Sequence, residues 1–342
     1  MTSPLLALPG AVPAEGPDAG LSWHFGDPLG EQRRAEEAVV VTDRSNRGVL
    51  RVTGEDRLSW LHSLTTQHLL GLPPWTPTQA LVLDPHGRVE HHLQVVDDGT
   101  AVWLDVEPGT ATALLQFLDR MRFLLRVEPE DVSDQYAAVG LLGPGSPRAA
   151  TDALGAPSPG PAAAALPGGG LVRTAVGPVA GSLDLLVPRA QLRDAAEALL
   201  AAGAAPAGTW AADALRIAAR IPRLGWETDH KTIPHEVGWL SQAVHLDKGC
   251  YRGQETVARV HNLGRPPRRL VLLHLDGSED RLPAHAAPVL AGDRQVGFVG
   301  TAGRHHELGP VALALVKRTV GDAEPLVTED MAARIDADVH VS

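Results

Sequence analysis

A single cysteine, Cys250, in 342 residues leaves the chain without an intrachain disulfide and without a Cys-x-x-Cys metal site. Neither a disulfide-stapled scaffold nor a zinc ribbon is therefore open to it, and a reducing, cytoplasmic setting is expected. Aromatic residues are scarce at 4% and the formal charge is −11. Such a chain repels polyphosphate, and no Lys/Arg-rich run with interleaved aromatics offsets this, so nucleic acid is not an expected ligand. No apolar run reaches the roughly 18 residues needed to cross a bilayer, and the first thirty residues mix Pro, Gly and Asp with few basic groups. Neither signal peptide, transit peptide nor membrane anchor is expected. The two commonest phosphate cradles are also missing, since no Gly-x-Gly-x-x-Gly follows a strand and no Gly-x-x-x-x-Gly-Lys-Ser/Thr occurs.

What is present exceeds one ordinary hydrophobic core, which predicts two or three packed units. Residues 1–30 are rich in Pro and Gly without periodicity and read as a poorly ordered lead-in. A helix is expected after Gly54, with Leu58, Leu61 and Leu64 sharing a face. Two alternating runs, 79–83 and 88–96, flank Asp84-Pro85-His86-Gly87 and predict a β-hairpin with His91 on its inward face. Further strands are expected over 101–106, 123–127 and 182–187, with helices over 110–121, 191–202 and 209–220. The Pro, Ala and Gly content of 143–170 predicts a variable loop holding at most a short helix. Short β runs from residue 269 onward predict a small C-terminal barrel or sandwich, and the charged residues 326–342 read as a surface tail. Strands and helices alternate without a parallel β-α-β rhythm, which favours an α+β class over a doubly wound fold. The domains expected are a 31–264 region of two lobes and a 265–325 barrel.

Turn residues and reactive groups concentrate between Arg216 and Gly264. Gly249 and Gly253 bracket Cys250, which would let the backbone turn sharply and a ligand or partner approach. Lys248, Arg252 and Arg259 are the cations near enough in sequence to favour its thiolate, the form that acts as nucleophile or metal ligand. The competing reading of Cys250 is an inert, buried small hydrophobe. For His91 the competing reading is a hydrogen-bonded core histidine. Arg216 and Arg220, one turn apart, would form a cationic helix face, open to a carboxylate or simply to solvent. His245, Cys250 and His261 match no zinc spacing, and His305-His306-Glu307 lacks the helical His-Glu-x-x-His spacing, so no metal site is expected.

The segment Lys248-Gly249-Cys250-Tyr251-Arg252-Gly253-Gln254-Glu255 resembles the signature of the YgfZ proteins, relatives of the glycine-cleavage T-protein and of a mitochondrial iron–sulfur assembly factor. Leu215-Arg216-Ile217 with Pro222, Gly225 and Glu227, and Ile233-Pro234-His235-Glu236, resemble that family's flanking stretches. The resemblance implies a multi-lobed, T-protein-like folate-binding fold with a small C-terminal β-barrel. It also implies a tetrahydrofolate cofactor, unidentified iron–sulfur client proteins as partners, and a role in assembly or repair of those clients. Cys250 and Lys248 would then be the reactive pair and Gly249, Tyr251, Gly253, Gln254 and Glu255 the motif around them. Arg216, Trp226, Glu227, Glu236 and His91 would contact the cofactor. The chain departs from the T-protein at His91-His92, where that enzyme carries paired aspartates, and this argues against aminomethyl transfer. A folate-dependent one-carbon transferase or demethylase and a non-catalytic docking module are the alternatives.

Overall fold

The computed structural model describes residues 2–157, 162–278 and 280–337. The chain divides into two units. The first comprises Met1–His62, Leu69–Thr78 and Leu93–Ala212; the second comprises Ser63–His68, Gln79–His92 and Asp213–Ser342.

In the first unit, six strands form a mixed sheet with the short strand Ala163–Ala165 at one edge. Next to it lie Leu171–Thr174, Leu183–Pro188, Tyr136–Leu142, Val40–Asp43 and finally Ala205–Pro206, with only the last pair parallel. Glu128–Asp131, Gly48–Thr53, Ala101–Val106 and the later half of Val89–Asp97 form a second, antiparallel layer. Period-two alternation decides what meets between the layers. Leu171 and Leu186 on one sheet join Val49, Val96 and Trp103 on the other in one apolar cluster. The next residues on the same faces, Arg173, Asp184 and Asp105, are charged.

Those charges close a network that is buried except at Arg44. Arg47 pairs with Asp105 at 2.9 Å and Glu107 at 2.7 Å, Arg173 with Asp105 at 2.6 Å and Asp184 at 3.0 Å, and Arg44 with Asp184 at 2.8 Å. Three guanidinium groups thus face three carboxylates, which is what allows so many charges out of water. Burial pushes the Asp184 carboxyl up, but Arg44 and Arg173 outweigh it and hold the group below its ordinary value.

In the second unit a closed barrel runs through Arg268–Leu275, Gly309–Lys317, Arg294–His305, Pro288–Ala291, Leu326–Thr328 and Met331–Ile335. Its interior is apolar, with Val271, Leu273, Val289, Val299, Ala314 and Ile335 among its buried residues. Ile217, late in the helix Thr209–Ala218, packs on the barrel wall with Leu270, Leu272, Val311 and Leu313. Another cluster joins the hairpin residues Leu81, Leu83 and Val89 to Trp239, Tyr251 and Val257.

Several expectations change. The segment after residue 326 is not a trailing tail: Leu326–Thr328 and Met331–Ile335 complete the barrel, because Met331, Ala333 and Ile335 point inward while Arg334 lies outside. Charge on the outward face of that strand had masked the alternation. Residues 338–342 of that predicted tail, and 158–161 of the predicted loop, lie outside the described residues. The lead-in holds the 3-10 turn Pro4–Ala7 and the paired strands Val12–Pro13 and Ser22–His24. The 143–170 stretch carries the helix Ser146–Leu154 and the edge strand Ala163–Ala165. The apolar run after Arg122 is a turn, with Phe123 at φ 28° and the strand starting only at Glu128.

Removing one member of the buried network strands the opposite charge. Asp105→Asn is expected to lower unfolding stability by about 3–5 kcal/mol in urea titrations. Because the Asp184 pKa is depressed on folding, its contribution is present above the ordinary aspartate value and is lost as pH falls through the folded value. Acid titration of the unfolding midpoint should show that loss below about pH 4, and a midpoint flat down to pH 2 would contradict it.

Candidate functional site

The cysteine loop is held at both ends. At its start the Lys248 side chain turns inward, and its ammonium donates to the carbonyls of Thr65 at 2.6 Å and Gln67 at 3.1 Å. It also lies 5.2 Å from the centre of the Tyr251 ring. Burial pushes the Lys248 pKa down to about 8. Tyr251 is itself buried in the apolar cluster, and burial raises its phenol to about 12. Gln254 closes the loop by donating to the Lys248 carbonyl at 3.1 Å. Lys248 therefore anchors the loop through backbone carbonyls, whereas the sequence had pointed to it as the partner of the thiol.

At its end the loop meets the hairpin turn. Gly253 has φ 82°, and a Cβ there would stand 2.6 Å from the Asp84 carbonyl oxygen and 2.8 Å from the Gly87 Cα. Gly87, at φ 79°, is equally confined, since its Cβ would meet the Thr256 Cβ at 2.8 Å. Arg252 adds a 3.0 Å ion pair to Glu90 of the hairpin. The helix Gln254–Leu263 starts directly from this contact. Gly249 plays no comparable part: its φ is ordinary, and a Cβ there would find nothing within 4 Å among the described residues. Between these anchors Cys250 is exposed, which excludes the buried-hydrophobe reading.

On the hairpin, His91 is 8% exposed and its Nδ1 has no hydrogen-bond partner among the described residues. Burial pushes its pKa down to about 4, so the imidazole is neutral at pH 7. It is not the hydrogen-bonded core histidine of the competing reading. His92 faces the other way, with Nε2 2.7 Å from Gln79 Oε1 and its ring stacked on Trp239.

The remaining predicted contacts meet partners within the chain. Arg216 does not share a cationic face with Arg220. Its guanidinium donates to Glu227 at 3.2 Å, Thr301 at 2.8 Å and the Ile221 carbonyl at 2.7 Å, while Arg220 lies beyond the helix end at φ 55° and pairs with Asp336. Glu227 is fully buried, accepting also from the Arg223 amide and the Thr301 hydroxyl. Glu236 accepts from the Ile233 amide and pairs with Arg268, which also grips Asp229. These carboxylates are consumed in ion pairs that tie the 213–236 segment to the barrel. Trp226 lies half-buried beneath the Arg223 guanidinium and against His285. Sequence reasoning missed Arg268 and Thr301, whose partners lie 32 or more residues away with no local pattern to mark them.

Known proteins resemble this chain in sequence and in fold. Residues 23–156 match the GCVT N-terminal domain and residues 268–342 the glycine cleavage T-protein C-terminal barrel domain. The chain thus carries a GCVT N-terminal domain and a glycine cleavage T-protein C-terminal barrel domain in a T-protein-like fold. It is 28% identical over 253 residues to a chloroplastic protein of Arabidopsis thaliana named as a putative transferase, across 72% of this chain and 58% of that protein. It is 35% identical over 116 residues to the aminomethyltransferase of Moorella thermoacetica, across 34% of this chain and 31% of that enzyme. The chain therefore spans less than two thirds of each of these two relatives. In structure it is similar to the glycine cleavage system aminomethyltransferase T of Bartonella henselae, with a TM-score of 0.85, 18% identity, and coverage of 100% of this chain and 98% of that one. No helix among the described residues is long and apolar enough to cross a membrane.

Two substitutions separate the glycines. Gly253→Ala is expected to lower stability by about 1–3 kcal/mol from the strained φ alone, with the clash in addition, whereas Gly249→Ala is expected to fall within about 0.5 kcal/mol of wild type. Chemical denaturation of both variants checks this, and equal effects would contradict it.

A pH series tests the Lys248 anchor. Between its folded value of about 8 and its ordinary value of 10.5 the unfolded chain holds a proton the folded chain has released, so stability from this group rises with pH in that window. Tyr251 acts oppositely above its ordinary value of 10.0, so the difference between wild type and Lys248→Met isolates the lysine. The rise should disappear in the variant; an unchanged slope would place the ammonium in water.

Proposed function

We propose that this chain is a tetrahydrofolate-binding accessory protein for the assembly or repair of iron–sulfur proteins, acting through Cys250 in a reducing, cytoplasmic compartment. The observation that carries the reading is the exposure of Cys250 on a loop fixed at both ends, by the Lys248 ammonium and by the contact of Gly253 with the hairpin. A thiol presented at the surface of a rigid support is available to a partner, whereas a structural cysteine is normally shut inside. A tetrahydrofolate carries a one-carbon group when bound. The residue that fits such a ligand is His91, whose buried Nδ1 lacks a protein partner among the described residues and, in the neutral ring, can donate or accept a hydrogen bond. Iron–sulfur proteins are the class of client that the motif's resemblance supports.

The relatives named as aminomethyltransferases favour a second reading, folate-dependent one-carbon transfer. Against it stand His91 and His92, where the T-protein has carboxylates. An imidazole held near pKa 4 is a poor base at neutral pH and offers no negative charge to a developing cation.

The deciding experiment combines tetrahydrofolate calorimetry with rescue of iron–sulfur enzyme activity in cells lacking the protein. Cys250→Ser should bind tetrahydrofolate as wild type does and fail in rescue, and His91→Ala should weaken binding about tenfold. A fully active Cys250→Ser protein would overturn the proposal, and formation of methylene-tetrahydrofolate from an aminomethyl donor would replace it with the transferase reading.

A further inference from the structure

The second unit contains a cavity of about 600 Å³ that neither the thiol nor His91 uses. It lies between the helix Gln254–Leu263, the barrel strand Arg268–Leu275 and the 318–322 turn that follows Gly309–Lys317. Its volume is in the range of small-molecule sites, which are apolar with a few convergent polar groups. The apolar wall is built by Leu240, Val260, Leu270 and Val320.

The polar lining is His235, His261, Arg269, Arg318, Asp322 and Asp336. Both carboxylates are already engaged: Asp322 pairs with Arg269, and Asp336 with Arg220 at 3.2 Å and His274 at 3.1 Å. Arg318, by contrast, has an exposed side chain with no ion-pair partner among the described residues. The lining therefore keeps unspent positive charge in a protein whose formal charge is −11.

Two further groups in the wall are unsatisfied. Both ring nitrogens of His235 are closed off from water and have no hydrogen-bond partner among the described residues, and the same holds for Nε of Arg269, whose Nη2 donates to the Val320 carbonyl at 2.9 Å. Burial, with His261 in support, pushes the His235 pKa down to about 4 and leaves the ring neutral, with one donor and one acceptor. Buried polar atoms are normally paired, so three orphans beside one cavity are an unusual concentration.

We propose that this cavity is a binding site for a compact aromatic or branched apolar carboxylate, its apolar body against Leu240, Val260 and Leu270 and its carboxylate toward Arg318 and Arg269. The site is separate from the proposed folate and thiol chemistry. A planar anion suits guanidinium groups, which donate to a carboxylate in a fixed fork.

Calorimetric titration of the full chain with naphthalene-2-carboxylate, and with the neutral naphthalene-2-carboxamide, tests the site. The carboxylate should bind one to one and at least tenfold more tightly than the amide. Arg318→Glu, an exposed substitution that spares the fold, should weaken it at least tenfold, and Val260→Trp, which fills the cavity, should abolish it, while Cys250→Ser leaves it unchanged. Absence of saturable carboxylate binding to wild type, equal binding of the amide, or binding indifferent to Arg318→Glu would each overturn the proposal. A parallel tetrahydrofolate titration keeps the two readings apart. Parallel loss of folate affinity in Arg318→Glu would assign the cavity to folate and overturn a separate site, whereas carboxylate binding without any folate binding would fail the folate reading alone.

Discussion

Everything near Cys250 depends on two glycines meeting without side chains. Gly253 and Gly87 both have positive φ, and each occupies space that a Cβ on the other would need. Only at that separation can the start of the helix Gln254–Leu263 sit against the hairpin turn. The consequence travels in both directions. Toward the helix it fixes the end of the cysteine loop, and along the hairpin it fixes the strand that carries His91. An orphaned imidazole and an exposed thiol are thereby held on one scaffold whose rigidity comes from backbone packing, with few rotamers left to vary.

The lysine completes that scaffold by an unusual route. An ammonium hydrogen-bonded to carbonyls gains from their partial charge, yet burial still depresses its pKa. The sequence neighbour of a reactive cysteine invites assignment as its electrostatic partner. Here three-dimensional demand assigned it otherwise, because Thr65 and Gln67 present carbonyls where the chain leaves the helix Arg57–Leu64.

Legibility followed the range of the interaction. The hairpin, the barrel strands and the helix Thr209–Ala218 were visible because their signals, alternation, Gly/Pro turns and a threonine start, act within a few residues. The T-protein-like α+β fold with its terminal barrel was legible from a contiguous motif. What escaped was long-range. Arg216, read as a cation on a helix face, is spent on Glu227 and on Thr301, 85 residues away. The last barrel strands were obscured by Arg334 and the acids around it, although Met331, Ala333 and Ile335 keep strict alternation. At Phe123-Leu124-Leu125 composition misled outright: three apolar residues in a row form an exposed turn.

The ion-paired residues also revise how a site is recognised in this chain. Arg216, Glu227, Glu236 and Arg268 have the look of ligand-binding groups in sequence, yet in the fold each charge is met by another or by backbone amides. Breaking such a pair to admit a ligand would leave one charge buried and uncompensated, which is the costly outcome for any ion pair out of water. Groups that are buried yet unmatched have no such barrier, since any incoming partner improves on the state they are in. By that criterion the groups of this protein most open to a new partner are its orphans, His91 on the hairpin and His235 on the cavity wall, more than the ion-paired Arg216, Glu227, Glu236 and Arg268.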